Sequence, residues 1–301
     1  MLQAADIVFG YDARRPVLRG VSLDVPAAGF VGILGPNGSG KTTLLRALAG
    51  AVRPASGRVT LDGTDLGAVS RRALARRMAV VPQETHLAFD YSVIEVVLMG
   101  RYPHLATFEI EGPEDLAIAR SALAATGTLD LEARSFDTLS GGEKQRVIIA
   151  SALAQISAVH LKVDTTDAPV DTTDAPVDTT DAPVASAFRR TSSDGILLLD
   201  EPTAALDLAY QLELAALLRS LQETLPIAIA ISTHDLNFAA SLCRSLVLLK
   251  EGQVIASGAT DDVLTAERIR TLYGVDADVT RHPSTGRLAI VPLRRAVERH
   301  V

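Results

Sequence analysis

The stretch GPNGSGKT, Gly35 to Thr42, decides how the rest of this 301-residue chain is read. It has the pattern G-x-x-x-x-G-K-[ST], in which a glycine-rich loop turns its backbone N–H groups onto phosphate oxygens. The flanks are those the mechanism needs. Phe30–Leu34 is a short apolar run that reads as a buried strand, and KTTLLRALAG reads as a helix closing on Gly50. Glycines at 35, 38 and 40 let the loop curl, and the helix N-terminus adds its partial positive charge. Lys41 is expected to reach the β- and γ-phosphates, and the Thr42 hydroxyl to ligate Mg²⁺. Gly35, Pro36, Asn37, Gly38, Ser39, Gly40, Lys41, Thr42 and Thr43 together form the expected nucleotide cradle. The competing reading, a surface turn carrying a solvated lysine, leaves the strand before and the helix after unexplained.

A second stretch points to hydrolysis. Ile196–Leu199 is too short for an independent helix and reads as a central parallel strand, with Asp200 and Glu201 at its C-terminal end. Open α/β sheets bind their ligands at that end. Pro202 forces the chain out of the strand. Asp200 is expected to hold Mg²⁺ through water, and Glu201 to polarise an attacking water. A plain polar exit loop is the alternative for DEP.

LSGGE, Leu139–Glu143, reads locally as a helix start, with Ser140 as cap and Glu143 closing a capping box. In combination with the P-loop, ILLLDE and a late STH, it makes the chain resemble the ATP-binding cassette ATPases. The resemblance implies a P-loop NTPase core of α/β class, with an N-terminal antiparallel β lobe and an α-helical subdomain. It implies further roles residue by residue. Ser140, Gly141 and Gly142 match the signature that clamps the γ-phosphate held by a partner subunit, so the active unit would be a head-to-tail pair around two ATPs. Tyr11 matches an aromatic that stacks on adenine, with a half-buried core tyrosine as the alternative. Gln83 matches a glutamine that touches Mg²⁺ and reports to the transport partner. Asp207 matches an aspartate across the subunit interface, and His234 the histidine that contacts the γ-phosphate. Catalysis would thus fall to Glu201, His234, Lys41 and Gln83, and Mg²⁺ binding to Thr42, Gln83 and Asp200.

Composition agrees with this class and excludes others. An apolar content of 48% with 4% aromatics suits one large Leu/Ala/Val-rich α/β core. The single cysteine, Cys243, allows no internal disulfide and fits a reducing compartment. The start MLQAADIVFG lacks the basic and apolar regions of a signal peptide, and no apolar run approaches the roughly 18–20 residues that span a bilayer. Any membrane-spanning parts are therefore expected on separate permease polypeptides, with this chain on the cytoplasmic face of the membrane. No basic stripe suggests nucleic acid.

Residues 1–258 are expected to form the ATPase domain, with a helical subdomain at about 86–155, and 259–301 a C-terminal extension. In the extension DDVLTAERIRTLYG reads as one amphipathic helix, and VTRHPSTGRLAIV as a hairpin around Pro283–Gly286. Within an insertion at about 157–194 lie three copies of VDTTDAP, Val163–Pro183. A proline in every copy forbids a coiled coil, and the composition predicts a disordered tether. Its six aspartates dominate the charge. Without them 30 acidic residues face 29 basic ones, and the net −7 becomes −1. The acidity therefore says nothing about substrate. The readings for the repeat are a tolerated expansion or a partner-binding element. Lengthening a surface loop costs only about 0.6 kcal/mol per doubling. Deleting Val163–Pro183 is therefore expected to leave ATPase rate and melting temperature nearly unchanged and to raise the isoelectric point. A shortened chain that no longer dimerises with ATP would make the repeat a working part.

SVIEVVLMGRYPHL, after Gln83, resembles the subgroup that energises uptake of metal chelates, namely ferric siderophores, haem and cobalamin, and the tail does too. In that case an extracytoplasmic binding protein would feed the permease. An exporter subunit would share every catalytic residue. A soluble relative acting on DNA or ribosomes would carry a long coiled coil or a second cassette, and this chain has neither.

Overall fold

Phe30–Leu34 (β3) is buried at all five positions, and its side chains divide between two cores. Phe30 and Leu34 join the cluster on one face of the central sheet; Val31 and Ile33 join the cluster on the other. That period of two, with both faces apolar, is the signature of a parallel strand covered on both sides. The computed structural model describes residues 1–12, 14–85, 87–156, 195–204 and 206–296. The repeat Val163–Pro183 and the insertion at 157–194 lie outside the described residues.

Two strands precede β3, Leu2–Phe9 (β1) and Leu18–Val25 (β2). After the P-loop come helix Lys41–Leu48 (α1), strands Ser56–Leu61 (β4) and Thr64–Asp65 (β5), helix Arg71–Ala75 (α2) and strand Met78–Val81 (β6). Helices Val93–Leu98 (α3), Pro113–Ala125 (α4) and Gly141–Ile156 (α5) follow, with a 3₁₀ turn at Met99–His104. The chain then alternates strand and helix through Ile196–Asp200 (β7), Leu208–Thr224 (α6), Ala228–Thr233 (β8), Leu236–Leu242 (α7), Ser245–Lys250 (β9) and Gln253–Ala259 (β10).

The central sheet runs β10-β9-β3-β8-β7-β6, parallel throughout except for β10, which pairs antiparallel on the edge. Parallel neighbours need crossovers, and α1, α5, α6 and α7 lie in those connections. Because β3, β7 and β8 are adjacent and parallel, their C-terminal ends bring the P-loop, Asp200–Glu201 and His234 to one edge of the sheet.

A separate antiparallel sheet, β2-β1-β4-β5, covers the α1 face. Sequence reading placed its strands ahead of the P-loop. Half of them come after it, joined by an Asp62–Gly63 turn in which both residues have positive φ. The C-terminal stretch read as one helix is two, Thr260–Val263 (α8) and Ala266–Tyr273 (α9). Thr265 breaks it by turning extended and accepting the Arg268 N–H on its hydroxyl, starting a new helix. Val275–Arg281 (β11) and Leu288–Arg295 (β12) then pair as an antiparallel hairpin.

Candidate nucleotide-hydrolysing site

Two glycines set the shape of the P-loop. Gly40, the N-cap of α1, sits at φ 106, where a Cβ would be strained. A Cβ on Gly35 would lie 2.2 Å from the Leu249 carbonyl oxygen, so only glycine lets the loop leave β3 beside β9. The loop and its neighbours line a cavity of about 320 Å³, bounded by Asn37, Gly38, Gly40, Lys41, Thr42 and Thr43 on one side and Gln83 and Glu201 on the other. Ser39 Oγ is buried with no hydrogen-bond partner in the protein.

Side chains in and beside the cavity are wired together. Lys41 is buried; its Nζ donates to the carbonyls of Gly35 at 2.9 Å and Pro36 at 3.2 Å, and pairs with Glu201 Oε1 at 2.9 Å. Thr42 Oγ1 donates to Asp200 Oδ1 at 3.2 Å. Glu201 holds φ 43, a left-handed conformation rare for a non-glycine residue. This bend brings its carboxylate back over the cradle. There Oε2 accepts from His234 Nδ1 at 3.0 Å while Oε1 faces Lys41. Burial alone would raise the Glu201 pKa, but the Lys41 ammonium and His234 outweigh it and hold the carboxyl below its usual range. Glu201 is therefore ionised at neutral pH.

One member of this network escaped the sequence reading. Ser232, fully buried, donates to Asp200 Oδ1 at 2.6 Å and accepts the Glu201 N–H at 3.0 Å, so it orients both acidic residues. Its only signal was a hydroxyl at the end of an otherwise apolar strand.

Tyr11 is 63% exposed, which removes the half-buried core alternative. Its ring stands edge-to-face on Phe9 at 5.1 Å, and its hydroxyl accepts from Arg46 of α1 at 3.1 Å. Hydrogen bonding to Thr43, and then to Arg46, holds its phenol below the usual pKa. Tyr11 thus stands beside the cradle with a ring face open.

Ser140–Gly142 and Asp207 do not line the cavity; nor do Tyr11, Asp200 and His234, but these three bond Arg46 of α1, Thr42 and Glu201 beside it. Ser140 does form the capping box. Its N–H donates to Glu143 Oε2 at 2.7 Å, and its hydroxyl accepts the Glu143 N–H at 3.3 Å. Asp207 caps α6 through the Tyr210 N–H at 3.1 Å. The Tyr210 ring lies against Gly142, where a Cβ would come within 2.2 Å of it, so signature and Asp207 are packed as one block.

The donor set fits Mg²⁺ bound with a nucleotide. A hydroxyl and a carboxylate at 3.2 Å are hard oxygen ligands, and Mg²⁺ in nucleotide sites takes one or two protein oxygens and completes its shell with phosphates and water.

Comparison with known proteins agrees with this geometry. The family model described as ABC transporter matches residues 18–164. A hemin import ATP-binding protein of Bordetella pertussis is 40% identical over 277 residues, covering 92% of this chain and 94% of that protein. The chain belongs to the ABC transporter ATP-binding family. A second member, the ferric enterobactin transport ATP-binding protein of Escherichia coli, is 34% identical and covers 98% of this ABC ATPase and 94% of its own length. Among solved structures, a metal-chelate type ABC transporter in an inward-facing conformation superposes with a TM-score of 0.75 at 27% identity, over 97% of this ABC ATPase and 96% of that chain. The family and the P-loop fold expected from the motifs are thus both found. Members of this family are ATPases that drive transport.

Proposed function

We propose that this chain is the ATP-hydrolysing subunit of an importer, energising uptake of a metal chelate through separate permease subunits. The observation that carries the chemistry is the Glu201 carboxylate, held between Lys41 and His234 at the mouth of the phosphate cradle. The hemin import relative supports the direction, and with the ferric enterobactin transport relative it supports the class of cargo.

In this reading residues 1–258 are the ATPase domain and 259–301 an extension. The P-loop N–H groups and Lys41 bind the phosphates, and Tyr11 carries the adenine. Bound Mg²⁺, on Thr42, Asp200 and Gln83, would neutralise charge on the phosphate oxygens. Glu201 accepts a hydrogen bond from the attacking water, and His234 fixes that carboxylate and faces the γ-phosphate. Ser140–Gly142 and Asp207, away from their own cavity, serve the site of a second copy in a head-to-tail dimer. Among the described residues no helix is long and apolar enough to cross a membrane. In the same reading the dimer works against a separate permease from the cytoplasmic face, and an extracytoplasmic binding protein delivers cargo on the other side.

Among the described residues no group of three or more His, Cys, Asp or Glu side chains could hold a metal ion. The purified chain is accordingly expected to bind Mg-ATP but no hemin, cobalamin or ferric siderophore in calorimetry. Cells lacking the chain are expected to lose uptake of one radiolabelled chelate among the three. Tight chelate binding by the isolated chain, or undiminished uptake of all three, would overturn the assignment.

A further inference from the structure

His234 stands on a short bridge between β8, which ends at Thr233, and α7, which starts at Leu236. The β8 side is anchored in the central sheet. The α7 side is a helix of seven residues, too short to be stable on its own. Phe238, Ala239 and Leu242 bury its apolar face in the core, and the C-terminal extension adds polar contacts at two points.

The first is Asn237. Its Nδ2 donates to the Ile290 carbonyl at 3.0 Å, and its Oδ1 accepts the Ile290 N–H at 2.9 Å. Ile290 lies opposite Val279 in the hairpin, with both of its backbone groups turned away from β11 toward α7. The side-chain amide of Asn237 thus acts as one rung of an additional strand on β12. The Ile290 side chain is buried in the same core cluster as Phe238 and Ala239 of α7.

The second is Tyr273, the last residue of α9, whose hydroxyl donates to the His234 backbone carbonyl at 3.3 Å. Burial, then the Glu201 and Asp235 carboxylates, push its phenol well above the usual range, so it remains a donor at any pH at which the protein works. Asp235 completes the bridge by capping α7 through the Phe238 N–H at 2.9 Å.

We infer that Asn237 and Tyr273 are positioning residues for the reaction: through them the C-terminal hairpin and α9 set where the His234 ring stands against Glu201. This rests on the ATPase reading above and adds to it a role for the extension in the chemical step. A ring displaced by a fraction of an ångström loses its alignment on Glu201 without altering the P-loop that binds ATP. The two effects are therefore separable in kinetics.

The test uses the full-length chain with Asn237→Leu, which keeps the volume and removes both bonds, and Tyr273→Phe, which removes one hydroxyl. The double variant is expected to lose about tenfold in kcat with KM for ATP within about twofold of the parent, each single change giving part of the loss. Its melting temperature should fall by no more than about 8 °C, since three hydrogen bonds are lost while the apolar contacts of α7 and α9 are kept. Val291→Thr, on the outward face of β12 and 53% exposed, is the control and should change nothing. An unchanged kcat in the double variant overturns the inference. So does a fall in kcat matched by a rise in KM, or by a larger drop in melting temperature, because either places the loss in binding or folding. A parent chain that hydrolyses no ATP would sink the proposed function instead, so the two failures are told apart by the parent alone.

Discussion

Glu201→Gln abolishes turnover while ATP binding persists. The expected loss is at least about 100-fold, the contribution of a positioned general base. The physical reason has two parts. An amide cannot take up the proton of the attacking water. It also removes the carboxylate that pairs with Lys41 at 2.9 Å, so the ammonium is released wholly to the phosphates and the nucleotide is held more tightly. ATP should then remain long enough to lock two copies together. Gel filtration with Mg-ATP is expected to show a species of twice the chain's mass for the variant and the single chain for the parent. Turnover at the parent rate would remove Glu201 from the role given to it here.

The second large effect comes from mixing two dead variants. Lys41→Ala loses the cation facing the phosphates and leaves the largely buried Glu201 without its ion-pair partner, so nucleotide affinity should collapse. Ser140→Arg keeps its own P-loop but offers its partner a long, bulky cation in place of the cap hydroxyl of α5. Each alone should be inactive. A mixed pair contains one site in which Lys41 and Ser140 are both native, and random pairing at equal amounts places such sites at about a quarter of the total, giving about a quarter of the parent rate. Normal hydrolysis by either variant alone would break the composite-site model, and so would a mixture with no activity.

How much of this was legible in the sequence follows from where each contact reaches. Phe30–Leu34 and Ile196–Leu199 were readable because a strand buried on both faces needs an unbroken apolar run. The P-loop was readable because its chemistry is carried by backbone and glycine, which leave a fixed spacing. β4 and β5 were missed because β4 alternates over only Val59 and Leu61, behind three exposed residues, and β5 is two exposed residues long. The helix at 261–274 was overread because periodicity continues across Thr265, whereas one side-chain cap ends it. Ser232, Asn237 and Tyr273 were out of reach for a different reason. Their partners lie 31 to 53 residues away in the chain, and a lone Ser, Asn or Tyr carries no pattern of its own. Local spacing reports phosphate binding well; the supports that aim a catalytic side chain are set by tertiary packing.

The way the central strand β7 begins has a practical consequence. A Cβ on Gly195 would lie only 3.0 Å from Ile156 Cδ1, so the last residue of α5 and the residue preceding β7 touch. Ile156 and Gly195, which bracket residues 157–194 in the sequence, thus meet at the N-terminal end of β7, about 13 Å along the strand from Asp200. That spot is a ready-made splice point. A fluorescent or affinity domain whose own ends are adjacent can be grafted between residues 157 and 194, and the ATPase will carry it as cargo of its own while both termini stay untouched.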